Sequence, residues 1–251
     1  MDSVRVGPFP VADLSYWEAV HAAADLAMDP QGPRRFYALH VGGLNAADDR
    51  EFVAEMNDAE LVCADGGSVV LLARLAGAQR IERTPTTDAG WDILDHVGRL
   101  LGRKARTALV GGELPTVTAA AEALHATAVA DIVLVEHGFH DDWTEVLARV
   151  SAARPDVIVL GLGAPKEMLW VREHLSELPS TLVVTCGGWF GFLAGTETRA
   201  PEVLRRPGLE WIARVAQAPT RLLPRYARGL ATCASIAGDT LWNGRGTPAR
   251  A

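Results

Sequence analysis

A largely parallel α/β sheet with helices on both faces is the fold class this sequence predicts, and three observations predict it. Short, near-continuous apolar runs such as ELVCAD (60–65), RTALVGG (106–112), VIVLGLG (157–163) and STLVVTCGG (180–188) alternate with stretches of helical period. Runs of that kind suit strands covered on both faces, as in βαβ units. Several of them end in glycines, and the 251-residue chain is 49% hydrophobic and 22% charged, a composition that builds a large folded core.

The elements follow in order. Residues 12–27 carry apolar residues at helical spacing, and RRFYALHV (34–41) reads as a strand ending at Gly42-Gly43. A helix over 46–59 leads to the strand 60–65, which stops at Asp65-Gly66-Gly67 before the helical SVVLLARLAG. A loop holding Arg80, Arg83 and the run Thr84 to Asp88 precedes an amphipathic helix over 89–103, with Thr87 or Asp88 as its N-cap. Residues 106–126 read as strand, Gly111-Gly112 turn and helix, and 130–142 as a further strand. Helix, strand, glycine turn and helix fill 143–175, and the last strand spans 180–188. The expected division is an α/β domain over 1–195 and a helical, arginine-rich appendage over 196–251, ending in the tail WNGRGTPARA.

Composition excludes several classes of function. The net charge of −7 argues against a nucleic-acid partner, and Cys63, Cys186 and Cys233 have no C-x-x-C spacing that would point to zinc or a disulfide framework. Neither a leader-like N-terminus nor a membrane-length apolar run is visible, so the expected location is cytoplasmic. Basic charge is concentrated: from Arg199 to Arg228 there are seven arginines against two acids. Arg221, Arg225 and Arg228 share one helical face, fit for an anionic membrane surface or for clamping a diphosphate, with a solvated face as the alternative and Pro219 and Pro224 as sources of a kink.

In a parallel sheet, ligands bind beyond the carboxyl ends of the strands, where Asp65, Gly111-Gly112, His137-Gly138, Gly161-Leu162-Gly163 and Gly187-Gly188 all fall. In GLGAPK, Pro165 at the first helical position and Lys166 beside free backbone amides would hold a phosphate; a tight turn with a solvated lysine is the alternative. The segment is not a Walker A loop and lacks the third glycine of the dinucleotide fingerprint, against ATPase and dehydrogenase readings. Asp65 could serve as a general base or as an N-cap for the next helix. His137, His140, Asp141 and Asp142 lack a metal-site spacing, so no metal is expected there.

The ordered series VGPFPVADLSYWEAV, HVGGLN, ADGGSVVLLARLAG, ERTPTTD, LVGGELPTV, EHGFHDD, VIVLGLGAPKEMLW, CGGWFGFLAGTETRAP and GLEWIARVAQAPTRLLPRY resembles the WecG/TagA/CpsF glycosyltransferases (glycosyltransferase family 26) over nearly residues 5–228. The resemblance implies a Rossmann-like sheet and a bacterial, metal-independent, inverting transferase. It would move N-acetylmannosamine or a related sugar from a UDP-sugar donor to a polyprenyl-diphosphate-linked saccharide at the inner face of the membrane. It assigns the base to Asp65, substrate contacts to Asn45, Arg83 and Asp88, and the nucleotide-sugar pocket to Gly111, Gly112, His137, Gly138, Gly161, Gly163, Pro165 and Lys166. Arg214, Arg221 and Arg225 match C-terminal arginines that close over the site at the membrane.

Several positions depart from the family pattern: Gly43 replaces a threonine, Glu167-Met168 replaces Gln-Glu, and Gly191 replaces an aspartate. The alternatives are a diverged transferase acting on a soluble secondary-metabolite acceptor, or a nucleotide-sugar-modifying or binding protein. No cofactor beyond the donor substrate is expected, and a homo-oligomer is among the options.

Overall fold

The computed structural model describes residues 1–197 and 219–242; for 219–222 and 224–226 it describes the backbone alone. The chain opens with an antiparallel hairpin, β1 (Ser3–Val6) and β2 (Phe9–Ala12), closed by Gly7-Pro8. Helix α1 (Tyr16–Ala27) therefore starts four residues later than expected, at a capping box in which Ser15 and Glu18 satisfy each other's backbone amides. β3 (Arg34–Leu39) runs into the one-turn helix α2 (Val41–Leu44), then α3 (Arg50–Asp58), β4 (Leu61–Ala64) and α4 (Gly67–Leu75).

Helix α5 (Thr86–Leu101) begins before Thr87 and Asp88, with Pro85 at its N-cap and no side-chain cap, which corrects the expected boundary. Proline serves there because it presets the backbone angle and has no amide to satisfy. Then come β5 (Ala105–Gly111), α6 (Leu114–Ala126), β6 (Ala130–Glu136), α7 (Thr144–Ala153), β7 (Val157–Gly161), α8 (Lys166–His174), β8 (Leu182–Thr185) and α9 (Trp189–Leu193). Strands β6 and β8 are shorter than the segments 130–142 and 180–188 read as strand. Helix α10 (Pro219–Trp242) starts at one proline and carries a second at position 224.

β3 to β8 form one sheet in the order β4-β3-β8-β7-β5-β6, with every pairing parallel. The expected fold class holds: this is a Rossmann-like α/β sheet with a C-terminal helix. Alternate side chains feed two cores, as the two-residue period of a strand requires. Tyr37, Leu39, Val62, Ala64, Ile158 and Leu160 pack with the hairpin, α3, α4, α7 and α8. Phe36, Leu61, Cys63, Leu109, Val157 and Val159 pack with α1, α5, α6 and α9. A polar junction ties α3 to β3, where the Arg35 guanidinium meets Glu60 at 2.9 Å and Glu55 at 3.3 Å. The Tyr37 hydroxyl donates to the same Glu55 at 2.7 Å.

Helix α10 packs against the site end of the molecule. Ile236 joins the hairpin-side core, and a Cβ on Gly229 would stand 2.2 Å from Val41, so its bare backbone lets α10 close on α2. Among the described residues no helix is long and apolar enough to cross a membrane.

Candidate active site

All six strands of the sheet point one way, so their carboxyl ends lie along a single edge. β5 leads outward to β6, while its neighbour β7 leads the opposite way to β8. That reversal opens a crevice between β5 and β7, the usual ligand position in such a sheet.

Asp65 follows β4 directly, half-buried, with its N–H donating to the Leu39 carbonyl at 2.9 Å. The N-cap of α4 is Gly66, one residue further on. Arg83 Nε donates to the Asp65 carbonyl at 3.2 Å, and the Thr84 N–H donates to the Ala64 carbonyl at 2.7 Å, so the 83–84 strap lies along the end of β4. Thr86 Oγ1 donates to the Thr185 carbonyl at 2.8 Å, which carries the strap across to β8 and sets Asp88 in the first turn of α5. Asn45 is the C-cap of α2, and its Oδ1 lies 3.1 Å from Thr232 Oγ1 on α10. Asp65, Asn45 and Arg83 thus share the β3–β4 end of the edge, and Asp88 follows where the strap reaches β8.

The glycine turns are knitted together at the other end. Gly112 N–H donates to the Gly161 carbonyl at 3.0 Å and Gly138 N–H to the Gly112 carbonyl at 2.9 Å. A Cβ on Gly111 would lie 2.3 Å from the Gly161 oxygen, and its φ of +137° favours glycine as well. These glycines bring β5, β6 and β7 into contact at the crevice, and two of their amides are spent on one another.

The turn after β7 also differs from its sequence reading. Pro165 is the N-cap of α8, after a cis peptide bond, and Lys166 is the first helical residue, exposed. The amides expected to be free for phosphate are taken: Gly163 N–H donates to Glu167 Oε2 at 3.0 Å, and the Leu162 amide donates to the same carboxyl. Glu167 is 2% exposed. Burial pushes its carboxyl up to about 8, with the charge of Asp65 acting in the same direction, against the two amides that favour ionisation.

Beyond β6, the His137 and His140 rings stack with centroids 4.0 Å apart, and His140 Nε2 lies 3.2 Å from Glu136 Oε1. Ligand atoms of Glu136, His137 and His140 fall within 4.8 Å of one another, spacing that could hold a metal ion. The cluster is not the one weighed from sequence, because Asp142 instead accepts the Thr144 N–H at 2.9 Å. Two features oppose a metal. Glu136 is already paired with Arg149 at 2.5 Å, and His137 Nδ1 accepts the Phe139 N–H at 3.1 Å, which puts the proton of a neutral ring on Nε2.

Arg214 lies outside the described residues. Arg221 and Arg225 lie on α10 with only their backbone described. Sequence reasoning missed Thr232, which carries no motif, and noticed Glu167 only as a departure from the family pattern. His40 was missed too: its Nδ1 accepts the Gly42 and Gly43 amides at 2.9 and 3.3 Å and starts α2. A Cβ on Gly43 would meet Leu39 Cδ1 at 2.8 Å, so a threonine there needs a shifted Leu39.

An all-parallel sheet with a carboxylate, a strap arginine and interlocked glycine turns along its carboxyl edge defines an α/β protein of the Rossmann-like, ligand-binding class. A model of the Glycosyl transferase WecG/TagA/CpsF family matches residues 4–245. The chain belongs to that family. A similar protein of Staphylococcus aureus is 28% identical over 171 residues, 67% of this chain and 66% of that protein. One of Bacillus spizizenii is 25% identical over 190 residues, 73% of each. Both are named N-acetylglucosaminyldiphosphoundecaprenol N-acetyl-beta-D-mannosaminyltransferase. The match thus spans just under two thirds of the length of the S. aureus relative.

Proposed function

We propose that this chain is an inverting glycosyltransferase that moves an N-acetylmannosamine-like sugar from a UDP-sugar to a hydroxyl of a polyprenyl-diphosphate-linked saccharide. The single observation that carries the reading is the half-buried Asp65 at the carboxyl edge of the sheet, directly after β4, with its carbonyl held by Arg83. The acceptor named for the relatives favours a lipid-linked saccharide over a soluble one.

In this reading Asp65 takes the proton of the acceptor hydroxyl as its oxygen attacks the anomeric carbon from the face opposite the leaving group. The new carbon–oxygen bond forms as the bond to the diphosphate breaks, and UDP departs with that electron pair. Lys166, Arg83 and the C-terminal arginines Arg214, Arg221 and Arg225 offset the charge growing on the diphosphate, so the reading calls for no metal. Contact of α10 with an anionic membrane surface would bring the lipid-linked acceptor to this edge.

The test is a panel of UDP-sugars screened by calorimetry, then mass spectrometry of products with lipid-linked and soluble acceptors. The expected result is one N-acetylhexosamine donor and a lipid-linked product. Asp65→Asn keeps the shape without the base and should lower turnover about 10²–10⁴-fold. Full turnover in that variant would remove Asp65 from the role.

A further inference from the structure

The loop after β6 starts a column of aromatic rings. His137 and His140 lie face to face, with ring planes 9° apart and centroids 4.0 Å apart. Trp143 packs against His140 at 4.8 Å, and Trp170 of α8 packs against Trp143 at 5.1 Å. His140 Nε2 comes within 3.2 Å of Glu136 Oε1 without the alignment of a hydrogen bond, so ring packing is what fixes this side chain. His137, at the other end of the column, is half-buried. The next residue, Gly138, is bolted to the Gly112 carbonyl at 2.9 Å, beside the crevice.

Four backbone amides of this corner are already engaged. Gly112 and Gly138 donate to neighbouring turns, and Leu162 and Gly163 donate to Glu167. A ligand held here must therefore draw much of its hydrogen bonding from side chains. Because Nδ1 accepts the Phe139 N–H at 3.1 Å, a neutral His137 ring carries its proton on Nε2, and no described residue accepts that proton.

We propose that His137 Nε2–H donates to an oxygen of the donor's UDP moiety, and that His140 is a positioning residue which, backed by Trp143, holds the His137 ring so that this donor is aimed. The face-to-face contact and the Phe139 hydrogen bond restrict the imidazole before the ligand arrives, so little rotamer freedom is lost on binding. The ligand half of this inference rests on the transferase reading above; the fixed ring and its tautomer rest on the geometry alone.

The test is UDP binding by calorimetry on the full chain, beside nitrogen NMR of the imidazoles at about pH 8, where an ordinary imidazole is neutral. The wild-type spectrum should show His137 as the Nε2–H tautomer, with that proton shifting when UDP is added. His137→Phe keeps a ring but loses the donor, and should weaken UDP binding about tenfold. His140→Ala frees the ring and should weaken it about fivefold, whereas His140→Phe restores the stack and should stay within about twofold of wild type. The double variant His137→Phe/His140→Ala should bind no more weakly than His137→Phe, since His140 acts only through His137. Losses that add in the double variant, wild-type affinity in a folded His140→Ala protein, or an Nδ1–H tautomer in the wild type, which needs no variant to detect, overturns the proposal. A wild type that binds no UDP, yet shows a single Nε2–H tautomer that His140→Ala turns into a mixture, supports the positioning and overturns the transferase reading instead.

Discussion

Thr232 on the C-terminal helix stands 3.1 Å from Asn45 at the end of α2, its hydroxyl also within 3.1 Å of the Arg228 carbonyl. The helix that follows the arginine-rich segment is therefore tied to a residue of the candidate site. Thr232→Val keeps the volume and removes the hydroxyl. A net hydrogen bond contributes about 1 kcal/mol, so the thermal midpoint is expected to fall by about 2–4 °C, and turnover is expected to fall as well if the contact places Asn45. Steady-state kinetics beside a melting curve checks this; unchanged turnover would make the contact incidental.

Gly111 cannot accept a side chain without moving β7. Gly111→Ala is expected to cost more than about 2 kcal/mol, from the 2.3 Å approach to the Gly161 carbonyl and the φ of +137° together. Gly102, the left-handed C-cap of α5, has open space in front of it, so Gly102→Ala should cost only about 1 kcal/mol of backbone strain. Urea denaturation of the two variants compares them directly.

Glu167 makes a prediction about stability. A carboxyl raised in the folded state stabilises fully below its unfolded value of 4.5, and that contribution is lost as pH rises through about 8. Glu167→Gln cannot ionise and should gain on the wild type over that window, by a few kcal/mol at its alkaline end, with no gain near pH 4. Melting temperatures of both proteins from pH 4 to 9 measure the difference; parallel curves would contradict it.

Arg35 serves two acids at once. Burial pushes Glu55 up, while Glu60, against the pull of burial, is held below its ordinary range by hydrogen bonds from Arg35. Glu60 therefore adds stability above its unfolded value of 4.5, lost as pH falls below that value. Arg35→Met strands both carboxylates and should cost about 3–5 kcal/mol at pH 7. The loss should shrink toward pH 4.5, where both acids can take a proton, and chemical denaturation at the two pH values tests it.

Arg221 and Arg225 sit on α10, the helix docked at the carboxyl edge. If they meet the membrane that bears the acceptor, charge reversal at both should abolish sedimentation with anionic vesicles, and added salt should weaken wild-type sedimentation. Indifference to both would leave them a solvated face.

Much of this architecture was legible because it repeats locally. Val157–Gly161 and Ala105–Gly111 were readable as strands, since a strand covered on both faces must be apolar at nearly every position. Residues 3–12 were passed over although Gly7-Pro8 between two apolar runs is a turn signal; four-residue strands are too short for periodicity to stand out. Asp65 could be found as a carboxylate at a strand end. That it leaves the cap of α4 to Gly66 was invisible, because an N-cap and a base share the same sequence position.

By itself the sequence determined the parallel order of secondary structure, the edge on which the glycine turns and Asp65 gather, and the family. Those follow from hydrophobic period and local turn chemistry, which each segment carries alone. Tertiary structure decided what the backbone amides and carboxyl groups of that edge do. It spent the amides of Leu162 and Gly163 on Glu167, locked Gly111 against Gly161, and brought Thr232 to Asn45 across 187 positions. Which partner a polar group finds, and whether a buried acid keeps its proton, depends on solvent exclusion by segments distant in sequence, and no local pattern encodes that.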